Sequence, residues 1–302
     1  WKHYEENQDI AFKDVNPFVY HNLDDDDRLI DSMKVIIQNR LKPETRSSIP
    51  AGAYNVPASS RVTFNKSLGY VFPRNKADSA VFDIKARLFT DDFDRKTNNE
   101  ATYTQYFYND YAYDDGTAEA GYGLRGEGTK FARVAYKFYT YQKDTLQGIS
   151  MYFNSTKNKF NENLYFYLMV WDNDNGQPGE ILYEKTNYQP EHDSLNRFQT
   201  YPLQSYSSAY RDTGIVVQDT FFIGWIQTTT NMLNVGWDFD RSAADKLYYN
   251  LRGTWQASDV EGALMMRPVF TDLRIATATE EPSREKTARL KLYPNPATSY
   301  IR

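Results

Sequence analysis

The chain has 302 residues, with 35 Lys plus Arg against 40 Asp plus Glu, a formal net charge of −5 and no cysteine. That balance gives no basic field to displace counterions from nucleic acid, and the lack of thiols excludes cysteine nucleophiles and disulfides. No apolar run approaches the ~18–20 residues that a membrane-crossing helix needs, and 25 Tyr with 18 Phe point to half-buried pleated surfaces rather than helices.

Residues 1–32 are polar and weakly patterned. Trp1 is followed by Lys2, His3, Tyr4 and two glutamates, without the apolar centre of a signal peptide. The expectation is a fragment of a longer precursor. Asp24-Asp25-Asp26-Asp27 reads as a solvated loop, because like charges repel, with cation binding as the alternative.

Residues 33–109 carry a strand pattern. Met33 to Ile37 reads as a strand, and Pro50-Ala51-Gly52 as a turn. From Ala80 to Leu88 the alternation is strict. Phe82, Ile84, Ala86 and Leu88 share one face, and Asp83, Lys85 and Arg87 the other. A polar turn over 91–100 precedes another strand, Thr102 to Tyr108. Short strands without a helical period predict a small β-sandwich. The stretch from Val81 through Asp94-Arg95-Lys96-Thr97-Asn98-Asn99-Glu100 resembles the closing hairpin of immunoglobulin-like adhesion or spacer modules of bacterial surface proteins. That resemblance implies a spacer or docking domain.

A second domain is predicted over 110–275. It opens on Tyr113-Asp114-Asp115-Gly116-Thr117-Ala118-Glu119, a turn signal followed by glycines 121, 123, 126 and 128. Leu146 to Phe153 reads as one strand with a bulge at Gly148. Asn163 to Trp171 is apolar on both faces, as for a strand covered on both sides or aimed at a groove. Residues 172–179 form a dense turn, and Ile181 to Tyr183 a short strand. Phe221 to Ile226, Val235 to Phe239, Tyr248 to Leu251 and Leu264 to Met266 complete eight or nine expected strands, the spacing of a jelly-roll sandwich. Tyr113 to Glu119, Asp172 to Gly179 and Leu264 to Phe270 together resemble the jelly-roll module that often precedes a sorting domain in exported Bacteroidetes proteins.

Residues 276–288 are small, polar and charged, and read as a linker. Residues 289–302 then break into a rigid proline turn. Leu292, Tyr293, Pro294, Asn295, Pro296, Ala297 and Thr298 resemble the opening of the C-terminal sorting domain of the type IX secretion system. The resemblance implies a secreted or outer-surface location and the type IX machinery as a partner, with the sorting domain truncated. The whole chain is thus expected to be all-β, with two tandem β-sandwiches, immunoglobulin-like then jelly-roll, followed by the linker and sorting segment.

Catalytic equipment is sparse. The histidines are His3, His21 and His192, without zinc-ligand spacing or a G-x-S-x-G elbow. Carboxylates are plentiful: Asp114, Asp115, Glu119, Asp172, Asp174, Asp238 and Asp240. They read first as turn stabilisers, then as ligands for structural calcium, with Asp114, Asp115 and Glu119 as the metal candidates. Two of them could instead serve a calcium-supported glycoside hydrolase. Among the tryptophans, Trp225 and Trp237 read as core, whereas Trp255 and Trp171 are candidates for sugar stacking. Asp31-Ser32-Met33, Asp78-Ser79-Ala80, Asp144-Thr145-Leu146 and Asp193-Ser194-Leu195 resemble the O-glycosylation site of exported Bacteroidetes proteins. The function expected is a non-catalytic adhesin-like or carbohydrate-binding region, recognising a glycan or a host or cell-surface protein. A ligand-free structural spacer is the other non-enzymatic reading.

Overall fold

The computed structural model describes residues 1–11, 15–43, 46–67, 69–74, 77–90, 96–154, 163–191, 197–203 and 214–270. The chain is almost entirely β and divides into two compact units, Trp1–Tyr108 and Asn109–Glu280. Residues 271–302, and with them the expected linker and the sorting residues Leu292 to Pro296, lie outside the described residues. No described helix is long and apolar enough to cross a membrane.

In the first unit, two short helices, α1 (Lys2–Glu6) and α2 (Gln8–Ala11), lead into β1 (Val15–His21). A four-stranded antiparallel sheet follows, in the order β3 (Arg46–Val56), β2 (Arg28–Asn39), β5 (Ala80–Thr90) and β6 (Glu100–Phe107). β1 pairs with β4 (Arg61–Ser67) as a separate ribbon. Met33, Val35 and Ile37 alternate into the core, and Phe82 meets them from β5 with Ile84, Ala86 and Leu88 behind it. The strand begins at Arg28, earlier than the apolar pattern indicated. A register shift at Ile30–Met33 breaks the alternation there and hides the first turns of β2 from a period-2 reading. Trp1 is buried against Phe82 and Phe107, at ring separations of 6.1 and 4.8 Å, so the polar N-terminal stretch carries one large core residue. The Asp24 block forms an exposed bend. Asp24 pairs with Arg28 at 2.7 Å, and Asp27 accepts the Ala58 amide at 2.8 Å.

The second unit is a two-layer sandwich. One layer is six-stranded, in the order β11 (Gln177–Tyr188), β10 (Phe166–Asp174), β13 (Ile215–Gln227), β8 (Arg133–Leu146), β15 (Leu247–Asn250), β16 (Trp255–Ala257). The other is split into two three-stranded sheets. These are β12 (Phe198–Pro202), β9 (Gly148–Tyr152), β18 (Met266–Val269), and β17 (Ala263–Leu264), β14 (Val235–Asp238), β7 (Ala120–Tyr122), bridged by Phe153 and Val235. Between the layers pack Tyr136, Phe138, Phe166, Leu168, Phe221 and Trp225 from one side, and Ile149, Met151, Val235, Trp237, Leu264 and Met266 from the other.

Twelve strands, β7 to β18, are present among the described residues, more than the eight or nine expected. The additional strands are β7, β12 and β16, and the expected strand Leu264 to Met266 is divided between β17 and β18. Two expected elements also change character. Leu146 to Phe153 is not one bulged strand: β8 ends at Leu146 and the chain crosses at Gln147 into the other layer, where β9 starts. The apolar run is continuous because both pieces face the same core. The dense turn at 172–179 is a two-residue hairpin, with Asn175 and Gly176 at φ 51° and 90°. Asp174 pairs with Gln177 across it, so polar strand ends masqueraded as loop.

The two ends of the described part of this unit are adjacent. Asp110 bridges Val269, the Phe270 amide donates to the Asn109 carbonyl at 2.8 Å, and Arg267 forks onto Asp114.

Candidate functional site

The six-stranded layer has a second apolar face, turned away from the core. Directly opposed residues of antiparallel strands share a face, so the register lays it out in rows. Tyr167, Ile226, Arg133, Asn250 and Trp255 form one row; Met169, Gly224, Ala135, Tyr248 and Ala257 the next; Trp171, Phe222 and Lys137 a third. Gly224 and Ala135 leave a trough in the middle row, and the Trp171 ring leans across it. A Cβ on Gly224 would stand 2.9 Å from Trp171 Cζ3. Trp255 closes on Trp171 edge to face at 5.4 Å, and Tyr248 on Phe222 likewise at 5.6 Å. Lys137 Nζ lies 5.9 Å from the Phe222 ring centre and donates to the Gly176 carbonyl.

Burial is graded across this cluster. Ala135, Met169, Trp171, Phe222 and Ile226 are buried, while Tyr167, Tyr248 and Trp255 remain partly exposed around them. Trp171 is therefore not an exposed stacking residue. At 1% exposure it serves as the floor on which Trp255 rests. Trp255 keeps part of its surface open, and it begins strand β16 where its sequence context indicated a loop.

A second constellation lies where β14 meets the segment before β7. Carboxylate oxygens of Asp115, Asp238 and Asp240 converge within 4.8 Å of one another. Asp238 is fully buried, and its two oxygens accept the Asp115 and Asp240 amides, each at 2.7 Å. Glu119 sits beside them, one oxygen accepting the Phe239 amide at 3.1 Å and the other the Thr117 hydroxyl at 3.0 Å. Hard oxygen donors so grouped are of the type that could hold a calcium ion. The trio Asp114, Asp115 and Glu119 is not the group that forms. The Asp114 side chain is wholly buried and is taken up by Arg267, which donates Nε to Oδ2 at 3.0 Å and Nη2 to Oδ1. Arg267 Nη1 also reaches Asp110 at 3.3 Å, and the guanidinium lies 4.1 Å from the Phe198 ring centre. Burial works to lower the Arg267 pKa, but hydrogen bonds and charge attraction from Asp114, then Asp110, outweigh it and raise it above its ordinary value.

Burial raises the Asp238 carboxyl to about 7, helped by the charges of Asp115 and Glu119 and opposed by the two amides. The unfolded chain releases this proton near pH ~3.9. Between those values the folded state holds more protons than the unfolded one, so this group's contribution to stability falls as pH rises from about 4 to about 7. Asp238→Asn removes that slope at the pH-independent cost of replacing one acceptor by a donor. In chelator, wild type is expected to lose ground to Asp238→Asn by up to ~1.4 kcal/mol per pH unit across that window. Urea midpoints at pH 4.5, 6 and 7.5 check it, and parallel curves would refute it.

Of the other expected residues, Asp174 lies at the β10–β11 hairpin, while Asp172 has one oxygen shielded from solvent and without a partner among the described residues. His3 is buried, His21 is exposed, and His192 lies outside the described residues. Sequence reasoning placed Tyr167 with Met169 and Trp171 on the second face of their strand without selecting it as a site residue, and missed Arg133 and Tyr248 on the outer face. The available signal was the alternation of apolar residues on both faces of β10 and β13. No family model, curated protein or solved structure matches this chain.

Proposed function

We propose that this chain is a non-catalytic, carbohydrate-binding region of a larger exported bacterial protein. The observation that carries the reading is the partly exposed aromatic set of Trp255, Tyr248 and Tyr167, seated on the buried Trp171 and Phe222 of an outer sheet face. Sugar rings present apolar C–H faces that pack on aromatic planes, and a stacking residue needs a rigid support to keep its orientation. The edge-to-face contact with Trp171 supplies that support. Export to the outer surface by the type IX route, suggested by Leu292 to Pro296, would place such a face where glycans are met.

A glycan array probed with the full chain is the direct test. Binding of at least one glycan is expected, and Trp255→Ala is expected to weaken it about tenfold or more while leaving the fold intact by circular dichroism. An array without binding, or affinity indifferent to Trp255→Ala, would count against the reading. A spacer, the alternative, would bind nothing on the array.

A further inference from the structure

The outer-face register sets Arg133 between Ile226 and Asn250, in the row whose ends are Tyr167 and Trp255. Arg133 is partly buried, and among the described residues no carboxylate forms an ion pair with it. Lys130, three residues ahead of it, and Arg252, two residues beyond Asn250, are both exposed at the same end of the sheet. Glu127 is the acidic residue of the adjoining turn. A guanidinium on an apolar face has lost part of its water, and its planar fork matches a carboxylate better than any neutral group. The aromatic row and the guanidinium thus ask for two features in one ligand, an apolar ring face and a planar anion fixed to that ring.

Resting on the carbohydrate reading above, we infer that the ligand is a polyuronate, a polysaccharide whose sugar rings carry C5 carboxylates. The ring face packs on Trp255 or Tyr167, and the carboxylate accepts two N–H bonds from Arg133. Lys130 and Arg252 give the local positive field that offsets the net charge of −5 for an anionic chain.

Calorimetric titration of the full chain with polygalacturonate, a sulfated galactan and a neutral galactan tests this. Polygalacturonate is expected to bind, with affinity falling as salt rises. Arg133→Gln is expected to weaken it about tenfold or more, and Arg133→Lys, which keeps charge but not the fork, to restore only part. If Arg133→Gln fails to fold, Arg133→Lys and the salt series carry the same decision. Equal affinity for neutral galactan, or affinity unmoved by the arginine variants, overturns the polyuronate inference and leaves carbohydrate binding standing. Sulfated galactan bound in place of polygalacturonate overturns the carboxylate assignment. No binding to any of the three, with none on the array, overturns both readings.

Discussion

Asp114→Ala is expected to destabilise the second unit by about 3–5 kcal/mol, because it strands a buried guanidinium. The Arg267 side chain is 7% exposed and that of Asp114 is not exposed at all. Losing the aspartate leaves two donor groups of the fork unsatisfied, with Asp110 at 3.3 Å as the remaining ionic partner. Thermal unfolding of wild type and variant checks this, a fall on the order of 10 °C being expected for a unit of this size. The pair Asp114→Leu with Arg267→Met is expected to recover most of the loss, since an apolar pair does not carry the desolvation cost. A single variant within about 1 kcal/mol of wild type would show that the pair is hydrated in solution.

Gly224→Ala is expected to cost about 3 kcal/mol, at the upper end of overpacking effects. Its Cβ would stand 1.9 Å from the Val134 carbonyl oxygen and 2.9 Å from the Trp171 ring. The first contact is backbone on the neighbouring strand, so relief requires β8 and β13 to part. The second displaces the support of Trp255, so glycan affinity is expected to fall together with stability. Chemical denaturation and the glycan titration, run on the same variant, check both. A variant of unchanged stability would mean that the sheet yields locally at this point.

The all-β architecture was legible because burial imposes period 2 wherever one face is wet. Phe82, Ile84, Ala86 and Leu88 gave β5 directly, and Phe221, Ile223 and Trp225 gave the inner face of β13. Where both faces are covered, as around Met169, Trp171 and Phe222, the continuous apolar run marks a doubly covered strand, as it did for Asn163 to Trp171, but it does not say which residues of other strands complete the second face. The acidic cluster was illegible for another reason. Asp115 and Asp238 lie 123 positions apart and meet only because β14 pairs with β7. Local spacing instead pointed to Asp114, whose partner Arg267 is farther away still. Trp255 was expected in a loop, from its Gly-Thr context, and instead begins β16 at the sheet edge, where its side chain is partly exposed.

The meeting of Asn109 with Phe270 has a mechanical meaning. Asn109 and Phe270, the first and last described residues of the second unit, lie side by side and antiparallel, through the Asp110–Val269 bridge and the bond from the Phe270 amide to the Asn109 carbonyl. Tension applied at those two points loads the bonds one after another, as in opening a zipper, rather than all at once in shear. The first few yield at low force. The tear then meets the Arg267 fork on Asp114 and Asp110, held among buried side chains. Rupture strength is therefore concentrated in one ionic latch, and pulling experiments on Asp114→Ala should find the unit peeling open at markedly lower force than wild type.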